Sequence, residues 1–408
     1  MTYYDGTNAP TLAVQIDLGP ASVGIFTLGL STLGGTAVLG VSTVNWVDFP
    51  ITDVRAISTR RGRTREDQKD QPGVLTLTLD NWSGNYDPDK LAAAYTVSGK
   101  SMLSAGAPVR VRATMSATTI SLFYGEIEYV ETDVSLDPVV NITAVDSLGR
   151  LSRQQYAVAT TYPTAWRASA GPIDDRFNDI FTDIGWPSGK FINYAPTSGC
   201  TVINQTVAVG DSPTTLLDPL TDTIWGRLYA NKDGNIVIKD YSNLYGNSPV
   251  AYLSDVRSTS LIEYDEITTA PGARFIVNEA IYENASAPGY NQTSVDTASQ
   301  GLYGRYTRTL TSALSYPNYT YGKTVTDAII SHYAFAKTRV ESVGFELIGL
   351  SSATTLNFLQ NVDLTSTINI ARTTIDGRSL SFNCVVESLN MDISPTSWRV
   401  SLETSPST

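Results

Sequence analysis

Residues 74–79 alternate without a break. Leu75, Leu77 and Leu79 fall on one side, and Thr76 and Thr78 on the other. Successive side chains of a strand point to opposite faces, so the pattern dictates a half-buried β-strand. A slip of one residue would put every leucine into water. An arginine-rich loop (Arg60, Arg61, Arg63, Arg65) precedes the strand, and a turn-forming run, Asn81-Trp82-Ser83-Gly84-Asn85 and Asp87-Pro88, ends it. The theme continues at 108–113, where Val109 and Val111 alternate with Arg110 and Arg112, and at 139–145. Residues 122–130 alternate less cleanly, and Gly125 is predicted as a bulge or bend. Short strands at this spacing predict a small barrel or sandwich over residues 1–155.

A chain of 408 residues exceeds one ordinary core, so two to four domains are expected. With 42% hydrophobic and only 17% charged residues, it suits strands and turns better than long exposed helices. The net charge of −12 argues against stable nucleic-acid binding, which relies on cationic side chains displacing counterions. Residues 18–47 carry no charge, yet Gly24, Gly29, Gly34, Gly35 and Gly40 break every apolar run well short of a membrane span. An extended arm, or two short strands around a glycine turn, is expected there. The N-terminus has no basic region before an apolar one, so no signal peptide is expected. Cys200 and Cys384 are expected as free thiols, with their pairing left open.

After Gln155 the pattern changes. Ile173, Phe177, Ile180, Phe181 and Ile184 line one face of a helix over 173–184, with Gly185 and Pro187 to stop it. A second helix is predicted over 213–225, followed by a hairpin turning at Asn231-Lys232-Asp233-Gly234-Asn235. From about 251 strands return at 261–267, 274–282, 344–350, 366–371, 380–387 and 398–403. A helix over 324–339 interrupts them, striped by Val325, Ala328, Ile329, His332 and Ala336. The fold expected is mainly β with α+β inserts, as two small β-barrel domains separated by a mixed domain. Its divisions are 1–155, 156–250 and 251–408, the last with a helical insert near 305–343.

Reactive chemistry is sparse. His332 is the one histidine and has no cysteine near it in the sequence, so a packed or surface role is expected. Glu126 and Glu128 would share a strand face, as a glycosidase pair requires, but two exposed acids on a strand are the commoner case. Asp80, Asn85, Asp87 and Asp89 are expected as turn formers, not calcium ligands. No phosphate loop, nucleophile elbow or dinucleotide fingerprint occurs. No catalytic, cofactor or metal residue is therefore expected, nor a cofactor. The arginine loop is followed at once by Glu66, Asp67 and Asp70, which dilutes its field. Arg60, Arg61, Arg63 and Arg65 are candidates for a contact with a neighbouring subunit.

Residues 54–89, VRAISTRRGRTREDQKDQPGVLTLTLDNWSGNYDPD, resemble the start of siphophage minor tail proteins of the tail-tip or baseplate hub family, especially those of actinobacteriophages. Weaker fragments follow in the family's order: Phe123-Tyr124-Gly125-Glu126-Ile127, the run 142–151, the hairpin 229–238, Val277-Asn278-Glu279 and the closing run 393–402. The resemblance implies a non-enzymatic virion protein, assembled in the host cytoplasm and sited at the tail tip. It would form a ring, three copies expected, that joins the tail tube to the tip complex and lines the channel for genome ejection. The implied partners are further copies of itself, the distal tail protein, the tail tube and the tape measure. DNA would pass without stable binding, and no membrane insertion is expected; an acidic wall suits such passage. Alternatives are a distal tail protein ring and a receptor- or carbohydrate-binding tail protein.

Overall fold

The computed structural model describes residues 9–18, 44–90, 95–97, 100–133, 135–162, 173–195, 202–271, 275–284, 289, 291–312 and 319–407. Cys200 and most of the uncharged segment, 19–43, lie outside the described residues. The 74–79 pattern sits inside the strand Gln71–Asp80, where Leu75, Leu77 and Leu79 are fully buried and Thr76 is exposed. The fold is mainly β with α+β elements. Among the described residues no helix is long and apolar enough to cross a membrane.

Among the described residues fourteen strands join into one sheet, and ten of them form two half-sheets of identical connectivity. In the first, Val54–Gly62 pairs with Gln71–Asp80, which pairs with Val139–Asp146, then Thr118–Asp133, then Pro108–Met115. In the second, Glu266–Pro271 pairs with Thr338–Glu346, then Ser397–Pro406, then Ser379–Ser394, then Thr367–Thr373. Each half-sheet thus takes its five strands in the order first, second, fifth, fourth, third. Even the registers agree. Ile57, Leu77 and Ile142 lie abreast in one half, as Ile267, Val343 and Leu402 do in the other. Pro108 faces Glu126 as Thr367 faces Val385. Each fourth strand bulges by one residue at a glutamate, Glu128 or Glu387. Just before the bulge, Ile127 bonds to the backbone of Gly106 and Ala107, and Val386 to that of Thr365 and Ser366. Gly106 and Thr365 both hold positive φ, 89° and 67°.

The halves meet on the sixteen-residue strand Ser379–Ser394. Along one edge it pairs first with Thr367–Thr373 and then, past Glu387, with Val54–Gly62. The expectation was of two small β-barrel domains. Among the described residues the pairings close neither half on itself: the first strand of the first half is taken up by the fourth strand of the second, and the first strand of the second half lies at an edge. One apolar core, including Leu77, Ile142, Val343, Trp398 and Leu402, runs across both.

A second core forms beside the sheet. The predicted helix is present as Ile173–Asp183, and Thr214–Thr223 and the hairpin Arg227–Ala230 with Ile236–Lys239 follow it. Phe177, Ile180, Leu217 and Leu220 pack there with Tyr282 of the strand Glu279–Asn284 and with Val325 and Ile329 from the later insert. The insert's helix is Tyr319–Tyr333, shorter at its end than the predicted 324–339, because Thr338–Glu346 is drawn into the sheet. Gly125 is not a bulge. The extra residues are Leu122 and Glu128, and Gly125 lies so close to the Val145 carbonyl that a Cβ would sit 2.3 Å from it.

Candidate functional site

The shared strand changes partner at Glu387, and the arginine loop closes over that point. Gly62 ends its strand with φ of 98°, a conformation that favours glycine. A Cβ there would lie 2.2 Å from the Glu387 carbonyl oxygen and 2.8 Å from Leu364 Cδ2. The close approach lets the Arg63 amide donate to the Glu387 carbonyl at 3.0 Å. Gly62→Ala should accordingly cost roughly 3 kcal/mol, combining a left-handed backbone with a clash that only movement of the sheet relieves. Urea titration of the variant measures it, and a loss under about 1 kcal/mol would mean that the junction is pliable.

Bulging turns the Glu387 side chain inward, and three elements converge on it. Arg63 Nε donates to Oε2 at 2.6 Å and Ser405 Oγ to Oε1 at 2.5 Å, while Arg227 lies 3.1 Å from Oε2. Arg227 comes from the second core. Its Nε and Nη2 donate to the two Asp70 oxygens, both at 2.7 Å, and Nη1 and Nη2 donate to the carbonyls of Val386 (3.2 Å) and Glu387 (2.6 Å). One guanidinium thereby ties the arginine loop, the shared strand and the second core together. Burial alone would raise the Glu387 carboxyl, but Arg63 and Arg227 outweigh it and hold it down at about 2. Nearby, Arg61 pairs with Asp363 at 2.8 Å, and Arg339 pairs with Glu66. Burial pushes the Glu66 carboxyl up against the pull of Arg339.

Arg60 and Arg61 lie in the strand Val54–Gly62, not in a loop as expected, because both are drawn into the pairing with Ser379–Ser394. Only Arg63 and Arg65 belong to the loop, and the four divide further. Arg61 and Arg63 are buried and committed to this chain's own carboxylates, whereas Arg60 is exposed and Arg65 partly so. Arg65 holds Asp67 through one guanidinium edge, Nε and Nη2 donating to its two carboxylate oxygens. The bulge at Glu128 breaks the alternation that would have kept Glu126 and Glu128 in step. Each is tied to an arginine of the helix Ser147–Arg153, Glu126 to Arg150 at 3.0 Å and Glu128 to Arg153 at 3.3 Å. Asp80 and Asp87 accept from the backbone two residues on, at Trp82 and Asp89, as turn formers do. Among the described residues no His/Cys/Asp/Glu group is arranged to hold a metal ion. Cys384 is buried, and burial pushes its thiol up to about 12.

His332 is a core residue, its ring 4.6 Å from Tyr245 and 4.7 Å from Tyr333. Burial, with Lys337 and Arg339 nearby, lowers it from 6.5 to about 4. As the sole histidine its NMR resonance is unambiguous and should titrate near pH 4. The folded value lies below the unfolded one, so the neutral ring favours the native state. That contribution is complete above about 6.5 and is lost as pH falls towards 4. Titration near 6.5 in the folded protein would remove His332 from this core.

Between the loop and the helix Thr214–Thr223 lies a cleft of about 360 Å³, lined by Lys69, Asp70, Asp218, Asp222, Trp225 and Arg308 among others. Lys69 spans part of it, 2.7 Å from Asp218. These mixed charges offer no nucleophile with its base. Sequence reasoning expected two similar β modules but missed the junction between them and the matching segments within them. The signal was present: Ile57-Ser58-Thr59-Arg60-Arg61-Gly62 is echoed by Ile267-Thr268-Thr269-Ala270-Pro271-Gly272.

No family model matches the chain, and no curated protein matches it in sequence. Solved structures do match. The tail protein from Neisseria meningitidis MC58 aligns with a TM-score of 0.57 at 8% identity, over 98% of this chain and 96% of that one. The 43 kDa tail protein of prophage MuSo2 from Shewanella oneidensis aligns at 0.54 and 11% identity, over 89% and 95%. At such identities the likeness is one of fold: the chain has the mainly β architecture of these tail proteins over nearly its whole length.

Proposed function

We propose that this chain is a structural protein of a phage-type tail. It is a hub of three copies that forms a ring at the tail tip, joins the tube to the tip complex and lines the channel for genome ejection. The observation that carries this reading is the register-matched repeat. Three chains with two equivalent half-sheets each present six modules, which lets a threefold ring seat on a sixfold tube. In this reading the half-sheets are the barrel-like modules of 1–155 and 251–408. Residues 156–250 are the mixed domain, and the insert near 305–343 packs with it. The fold shared with tail proteins and the net charge of −12, which suits passage of DNA without adhesion, point the same way. The arginine-loop contact with a neighbour, the distal tail protein or the tape measure among them, falls to Arg60 and Arg65. Arg61 and Arg63 hold the loop from within.

A cryo-EM map of an assembled tail carrying this protein tests the proposal. Three copies at the tube end, with half-sheets alternating around the channel, are expected. Six copies would make it a distal tail ring, and copies confined to the periphery a receptor binder.

A further inference from the structure

The internal junction is half of a pattern that the repeat leaves incomplete. Within one chain, the fourth strand of the second half receives the first strand of the first half past its bulge, from Ser388 to Ile393. The fourth strand of the first half has the same bulge and the same preceding bonds, but beyond Ile127 no strand among the described residues pairs with the edge that carries Pro108–Met115. The first strand of the second half, Glu266–Pro271, is the other unmatched piece. Among the described residues it pairs only with Thr338–Glu346. Among the described residues, two unpaired strand edges of matching register thus remain on every copy.

We propose that Glu266–Pro271 of one copy pairs antiparallel with the end of Thr118–Asp133 of the next, repeating the internal junction between copies. This rests on the ring reading above and names its interface. The register follows by transfer. Glu128 corresponds to Glu387 and Ile267 to Ile57, so the internal pairs Ser58–Asp392 and Arg60–Asn390 become Thr268–Asp133 and Ala270–Glu131 between copies. The chemistry transfers too. Ser58 Oγ donates to Asp392 Oδ1 at 2.6 Å, and the counterparts are again a hydroxyl, Thr268, and a carboxylate, Asp133. Tyr129, 53% exposed, is the counterpart of Ser388, 3% exposed beneath its covering strand. One difference weakens the copy: Pro271 stands where Arg61 stands and brings no N–H, so the ladder between chains has one donor fewer than the ladder within. An isolated chain can therefore stay single until concentration or the tail brings copies together.

Disulfide trapping tests the pairing. The Arg63 amide bonds to the carbonyl of its opposite residue Glu387, which makes 60/390 and 58/392 the closely spaced, non-hydrogen-bonded pairs of the antiparallel ladder. Full-length protein carrying Glu131→Cys and Ala270→Cys should therefore crosslink between chains on mild oxidation at high concentration, closing at a covalent trimer. Glu131→Cys with Thr269→Cys, one residue out of register and facing the opposite side, should crosslink at least tenfold less, and each single variant should not ladder. Unchanged melting of the reduced proteins confirms that they fold. Rings seen by native mass spectrometry without this crosslink would overturn the edge pairing and leave the ring standing. Efficient crosslinking into open strings would support the edge pairing and overturn the threefold ring. No crosslink in a chain that stays monomeric at every concentration would overturn both.

Discussion

Arg227→Ala should destabilise the protein by about 3–5 kcal/mol, enough to leave much of it unfolded at ordinary temperatures. The residue is 2% exposed, and its guanidinium serves the Asp70 carboxylate, the Glu387 carboxylate and two backbone carbonyls. Removing it strands two carboxylates, of which Glu387 keeps only Arg63 and Ser405. The cost is mainly that of the buried charge left behind, so a second variant separates this from lost packing. Arg227→Met keeps the stem and most of the volume, and it should be nearly as damaging. The pH dependence is a further signature. In the native chain Glu387 is held at about 2, below its ordinary 4.5, so its contribution is present above about 4.5 and lost as pH falls towards 2. Without Arg227 the Glu387 carboxyl shifts upward, and the gap between variant and native protein should narrow on mild acidification. Chemical denaturation at pH 7 and pH 5 reads both effects. A loss below about 1 kcal/mol at pH 7 would mean that water reaches the junction and that Arg227 does not hold it together.

Leu77→Asp should be comparably severe, about 4–5 kcal/mol, whereas Thr76→Asp should lie within about 0.5 kcal/mol of the native protein. Leu77 is fully buried, between Ile57 on one side and Ile142 on the other. A carboxylate there must be desolvated or protonated, and it also leaves a cavity where the leucine packed. Thr76 points to the opposite, exposed face, between Ser58 and Thr143. Expression yield and thermal melting of the pair decide the matter. Equal losses would show that both faces of the strand are closed to water.

The same alternation explains what could be read from the sequence. Strands with one wet face, such as Gln71–Asp80 and Pro108–Met115, declare themselves, because burial acts on every second residue. The helix Ile173–Asp183 was legible for the matching reason at a period of 3.6. The helix of 319–333 was misplaced because its first turn, Tyr319-Thr320-Tyr321-Gly322, has weak helix propensity, and its true end depends on Thr338 pairing with Pro271. The junction was legible only in part. Four arginines with a glycine among them signalled a shaped loop, but their carboxylate partners Asp363 and Glu387 lie some 300 residues away in sequence, as the Arg63–Glu387 separation of 324 shows. Local sequence could not tell an inward-facing arginine from one that reaches a neighbour. The repeat was hidden for another reason: the link between first and second strands is a short loop in one half and holds the helical insert in the other, which separates the matching segments unequally.

The shared strand also sets the order in which the molecule can be made. Ser58 and Asp392 are 334 residues apart, yet they pair in the finished sheet. A ribosome adding about 5–20 residues per second would leave the Val54–Gly62 edge without its cover for some tens of seconds, long after its other edge is sealed by Gln71–Asp80. Contacts of such span are also slow to form once synthesis ends. During that interval an open edge of one nascent chain is available to the fourth strand of another. Premature exchange of strands between copies, as a swapped dimer, is therefore the characteristic misassembly of this fold, and its frequency should rise with the rate of synthesis.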